Sequence, residues 1–121
     1  MVDLLRTLLS PGYGAYVLDK DGTLLNQSRP INGASDFLRH LHARGIPHVI
    51  LTNTGEKTRA QVAESISRVL SLAQGVVDES RVVTARDVAL RQLNDTMRFS
   101  RTFVIGKAAE GHDAFDWRRR V

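Results

Sequence analysis

Two short clusters in this sequence hold residue types that can do chemistry together. The first is Asp19-Lys20-Asp21-Gly22-Thr23-Leu24, directly after the apolar run Ala15 to Leu18. Where such a run ends, the backbone can turn and bring Asp19 and Asp21 into one mouth. Two carboxylates held close repel each other, so the arrangement calls for a cation between or beside them. Mg²⁺ suits, being a hard ion held by one or two carboxylates plus substrate phosphate. Gly22 permits the sharp turn. Taken alone, the run also reads as a surface turn between two strands. The second cluster weighs against that reading. Thr52 and Asn53 follow the apolar run Pro47 to Leu51, and a helix is expected just beyond. A hydroxyl with free N–H groups at a helix N-terminus makes an anion site.

The elements that must position these clusters follow from periodicity. Ala15 to Leu18 and Pro47 to Leu51 predict buried strands, each ending abruptly in polar residues. Gly22 to Asn32, with Pro30, predicts a loop or small hairpin. Gly33 to Arg44 predicts a helix through Ala34, Phe37, Leu38 and Leu41, stopped by Gly45. A longer helix is expected over Glu56 to Ala73, an extended piece at Val82 to Thr84, and a helix over Ala85 to Asn94. Thr102 to Ile105 predicts a further strand, and the leucine-rich opening Met1 to Ser10 a short packing helix. Strands separated by helices of ten or more residues imply right-handed parallel crossovers. The fold class is therefore α/β, with polar residues gathered at the carboxyl ends of the strands, where such sheets place ligands.

With Asp19, Asp21, Gly22, Thr23 and Leu24 as a first motif and Thr52 with Asn53 as a second, the chain resembles the haloacid dehalogenase superfamily of phosphohydrolases. It is most similar to the branch of p-nitrophenylphosphatase-like and nucleotidase-like enzymes, through Pro30 to Gly33, Thr52-Asn53 and the stretch from Arg81 to Gly106. The resemblance implies a Rossmann-like three-layer sandwich with a parallel sheet. It also implies that Asp19 attacks phosphorus to form an aspartyl-phosphate. Asp21 would act as general acid and then base. Thr52 would hold a phosphoryl oxygen, Asn53 would assist through its N–H, and Thr23 would brace the loop. Mg²⁺ would rest against the Asp19 carboxylate and the Asp21 carbonyl, making Asp19 and Asp21 the metal residues.

One loop, one helix and one strand fill the interval between the motifs, which leaves no space there for a cap domain. A cap would follow the second motif, and the chain is expected to stop about where it begins. Residues 1–111 then form the N-terminal portion of a catalytic core, and residues 112–121 a basic tail. The resemblance also calls for a phosphate-steadying lysine and an acidic metal motif on later strands. Lys107 stands where that motif would need an aspartate, and nothing places Lys57 or Lys107 as the steadying lysine. Lys20 is expected to point away from the pocket. A second reading is accordingly kept: a catalytically inactive, truncated relative that binds phosphate or a partner without turnover.

Composition narrows the remaining classes. The 121 residues carry a net charge of +4 and no cysteine, and 42% are apolar. That is the balance of one globular domain, and it excludes disulfides and thiol catalysis. No window is long and apolar enough to span a membrane. Arg118, Arg119 and Arg120 read as a solvated tail, so nucleic acid is not an expected partner. The four histidines show no ligand spacing. The expected partner is a small phosphorylated metabolite, in a cytoplasmic setting with organelle targeting left open. A self-paired dimer or a missing C-terminal half would have to cover the Ala15 to Leu18 edge.

Overall fold

In the computed structural model of the chain, residues 13–96 are described. The expectations for Met1 to Ser10, Thr102 to Ile105, Lys107 and the basic tail lie outside them. Within them, strand β1 (Tyr16–Asp19) leads into a hairpin of β2 (Leu25–Asn26) and β3 (Arg29–Pro30), so the Pro30 loop is a small antiparallel hairpin. Helix α1 (Ala34–Ala43), strand β4 (His48–Thr52), helix α2 (Arg59–Val69), strand β5 (Val82–Thr84) and helix α3 (Ala85–Thr96) follow in turn. The three longer strands form one parallel sheet in the order β1-β4-β5. The fold is α/β with a parallel sheet, as the spacing of strands and helices requires.

Both crossovers step in the same direction across the sheet. With right-handed connections, α1 and α2 therefore land on the same face. The buried cluster bears this out. It joins Leu38 of α1 and Val62, Ala63 and Ile66 of α2 to Ile50 and Val82 of the sheet. Alternation along the strands does the sorting, because His48, Ile50 and Thr52 point into that layer while Val49 and Leu51 point the other way.

The run Ala15 to Leu18, expected as a buried strand, is covered on one face only among the described residues. Val17 is 72% exposed and its neighbour on the same face, Leu51, is 45% exposed. The apolar run Ala15 to Leu18 has the composition of a fully buried strand, but among the described residues only its α1/α2 face is covered. Within the described sheet β1 is also an edge strand.

Helix boundaries follow from local chemistry. Gly45 ends α1 in the left-handed region, with φ 62°, where a side chain would be strained. Helix α2 is shorter than Glu56 to Ala73 at both ends. Thr58 caps it through a reciprocal pair, the Gln61 backbone N–H donating to the Thr58 hydroxyl at 3.2 Å and the Thr58 backbone N–H donating to the Gln61 side-chain Oε1 at 2.9 Å. At the other end, Ser71 turns left-handed with φ 52° and stops the helix before Ala73.

Candidate active site

The parallel pairing of β1 with β4 puts the two chemical clusters side by side. Asp19 is in register with Leu51, and Thr52 is the last residue of β4. Lys20 still donates its N–H to the Leu51 carbonyl at 3.1 Å, so the strands stay joined to the point where Asp19 and Thr52 emerge. The chain then turns back tightly. The Lys20 carbonyl accepts from both the Leu24 and Leu25 N–H groups at 3.0 Å, and the Gly22 N–H donates to the Leu25 carbonyl at 2.7 Å. Gly22 has φ 85°, and a Cβ added there would meet nothing within 4 Å. Glycine is therefore needed for the backbone angle and not for space. Leu24 and Leu25 anchor the turn in the core at 2% exposure each. Backbone bonds close the loop, and Thr23 is exposed.

The polar groups differ in accessibility. Asp19 and Asn53 are exposed, and the Asp21 side chain is about half exposed, at 52%. Thr52 is 2% exposed, and its Oγ1 is buried without a hydrogen-bond partner. A buried hydroxyl left unpaired costs about 1–3 kcal/mol, so its placement at a strand end beside the two aspartates is notable.

Two expectations change. Helix α2 does not begin just after Asn53; residues 53–58 intervene, and the Gln61 N–H at the helix start is taken by Thr58. The N-terminus of α2 therefore does not abut Asn53 directly, and the loop that begins there separates the two. Lys20, expected to point away from the pocket, is paired with Asp21. Its side chain is 16% exposed and its Nζ lies 3.0 Å from Asp21 Oδ1. Alternation along a strand cannot foretell this, because the strand ends at Asp19 and the turn redirects the next residues.

The donor set suits Mg²⁺. It offers carboxylate and carbonyl oxygens, and this ion keeps several waters and needs only one or two protein carboxylates beside a phosphate. Among the described residues no group of three or more His, Cys, Asp or Glu gathers to hold a metal. A separate cavity of about 290 Å³, lined by Arg59, Asp87, Leu90, Arg91, Asn94 and Asp95, includes none of these residues.

The described structure is a parallel β-α-β sheet with two aspartates at the end of one strand and a threonine at the end of the next. The model of the haloacid dehalogenase-like hydrolases matches residues 16–115, and the chain belongs to that family. An acid sugar phosphatase of Staphylococcus aureus is 43% identical over 54 residues, covering 45% of this chain and 21% of that protein. A double mutant of a thermostable NPPase from Geobacillus stearothermophilus superposes with a TM-score of 0.59 at 26% identity, over 69% of this chain and 30% of that one. A single mutant of the same enzyme reaches a TM-score of 0.67 over 88% of this chain and 39% of that one, at 22% identity, a likeness of fold. The chain spans about a fifth of the length of the phosphatase relative it matches. No helix among the described residues is long and apolar enough to cross a membrane.

Proposed function

We propose that this chain carries the nucleophile half of a Mg²⁺-dependent phosphomonoester hydrolase. The observation that supports this most is the register of β1 on β4, in a chain of the haloacid dehalogenase-like family. It sets the Asp19–Asp21 turn beside Thr52 and its unpartnered hydroxyl. The exposed Asp19 carboxylate attacks phosphorus and forms an aspartyl-phosphate while the ester oxygen leaves. Asp21 gives that oxygen a proton and afterwards takes one from the water that hydrolyses the intermediate. The Thr52 hydroxyl donates to a phosphoryl oxygen, aided by the Asn53 N–H, and the hydroxyl's unmet hydrogen bond is thereby satisfied. The Asp19 carboxylate and the Asp21 carbonyl hold Mg²⁺, which when bound screens the charge between nucleophile and phosphate.

Sugar phosphates are the substrate class to examine first, since the relative that is 43% identical over 54 residues is an acid sugar phosphatase. Hydrolysis of p-nitrophenyl phosphate and a sugar-phosphate panel by the chain is expected to require Mg²⁺. It is expected to fall to background in Asp19→Asn, which keeps size but removes the attacking charge. Turnover that survives in that variant overturns the reading.

A further inference from the structure

The ion pair inside the Asp-Lys-Asp run has a consequence for what the site binds and in what order. Most lysines hold their ammonium in water on a flexible stem, where it contributes little to a neighbouring site. Lys20 differs, because its side chain is only 16% exposed and its Nζ lies 3.0 Å from Asp21 Oδ1. Its stem leaves the end of a paired strand, and its carbonyl is held by two turn N–H groups at 3.0 Å. Both the backbone and the burial of the stem therefore hold this positive charge beside Asp21, two residues from Asp19. With Lys20 counted, the run Asp19-Lys20-Asp21 presents a net charge of one negative unit rather than two. No third acidic or histidine group joins a cluster there among the described residues.

We propose that Lys20 is a built-in counter-cation of this site, weakening Mg²⁺ binding to the empty site and strengthening the binding of the phosphoryl anion. The inference rests on the proposed reading of Asp19 and Asp21 as the metal and catalytic residues, with Thr52 and Asn53 holding the phosphate. It adds an order of loading: the phosphate dianion binds against the fixed Lys20 charge, and its own negative charge then makes the site favourable for the metal. A unit charge a few ångströms from a bound ion, in a water-rich site at physiological salt, changes affinity by roughly three- to tenfold.

The test uses the full chain and two separate probes, Mg²⁺ alone and inorganic phosphate alone. Each is titrated while the Gly22 and Thr23 amide resonances are followed. Lys20→Met is expected to tighten Mg²⁺ and weaken phosphate, each by roughly three- to tenfold. Both changes are expected to shrink as salt is raised, and Lys20→Arg is expected to behave as the parent chain. A structural role for Lys20 would move both affinities the same way. Equal-direction changes, no change, or no resonance shift with either probe overturn the proposal. The Asp19→Asn turnover test is scored independently. Loss of the hydrolase reading with the opposite-sign split intact, or the reverse, tells which of the two has failed.

Discussion

At the scale of single residues, two buried side-chain atoms without hydrogen-bond partners among the described residues, Thr52 Oγ1 and His48 Nε2, behave differently. The Thr52 hydroxyl lies at the end of β4 in the helix-covered layer, and under the proposed function its unmet bond is a cost of the empty fold that phosphate would offset. Thr52→Val keeps the shape and deletes the unpaired hydroxyl. It is expected to leave stability unchanged or raise it by about 1 kcal/mol. The same variant should weaken inorganic phosphate binding about fivefold or more, the loss of one hydrogen bond to a charged group. Urea unfolding and phosphate titration on one preparation check both halves. His48 lies on the central strand at 3% exposure, with its Nδ1 2.9 Å from the Ile46 carbonyl. Burial holds its imidazole below its ordinary pKa of 6.5, and the nearby Arg81 and His42 act in the same direction. The fold therefore keeps His48 neutral while the unfolded chain takes up a proton as pH falls through 6.5. Stability should drop as pH falls from 7 through 6 and level off once the folded form also protonates. Urea midpoints between pH 7.5 and 5 measure the slope. His48→Leu should flatten it, and a midpoint that rises toward acid would sink the assignment.

At the scale of elements, α2 depends on its cap more than on its composition. Its apolar stripe is short, with Val62, Ala63 and Ile66 as its buried residues. The Thr58–Gln61 pair fixes where the helix starts, and so how long the loop after Thr52 and Asn53 can be. Thr58→Ala removes one half of that pair and is expected to destabilise the chain by about 1 kcal/mol. The urea midpoint and the far-ultraviolet dichroism check this, with helix content nearly unchanged at low denaturant. Helix α3 is held in the same way at its start, where the Thr84 N–H and hydroxyl both donate to Asp87 Oδ2, at 3.0 and 2.7 Å. The Glu56 to Ala73 periodicity overruns α2 at both ends because periodicity registers apolar spacing, whereas capping and a left-handed Ser71 decide termination.

At the scale of the whole molecule, the consequence is an open apolar surface. Val17 and Leu51 are exposed on the face opposite α1 and α2, at the β1 edge of the described sheet. Exposed edges of this kind pair with other chains. Sedimentation over a range of concentrations is expected to show self-association of the chain. Val17→Lys, at a side chain already 72% exposed, should reduce it without lowering the melting temperature by more than about 1–2 °C. A concentration-independent monomer would mean that Val17 and the β1 edge are covered in solution.

The candidate site was legible in one dimension because its residues lie in contiguous runs. Asp19 to Leu24 and Thr52-Asn53 each follow an apolar strand, and parallel crossovers must bring successive strand ends to one edge of a sheet. That logic is local, and the α/β class and the adjacency of the two clusters came from it. The rest depended on through-space relations that sequence spacing does not encode. Val17 reads as core by composition, yet two crossovers of the same hand put both helices on the other face. Lys20 reads as a residue turned outward, yet the turn that begins at its own carbonyl sends its ammonium to Asp21. Thr52 reads as an accessible phosphate ligand, yet strand alternation places it in the helix-covered layer with its hydroxyl unpaired. Spacing along the chain determines which residues a sheet brings to one edge. Which face is covered, and where a side chain's charge comes to rest, is decided only by packing between elements distant in sequence.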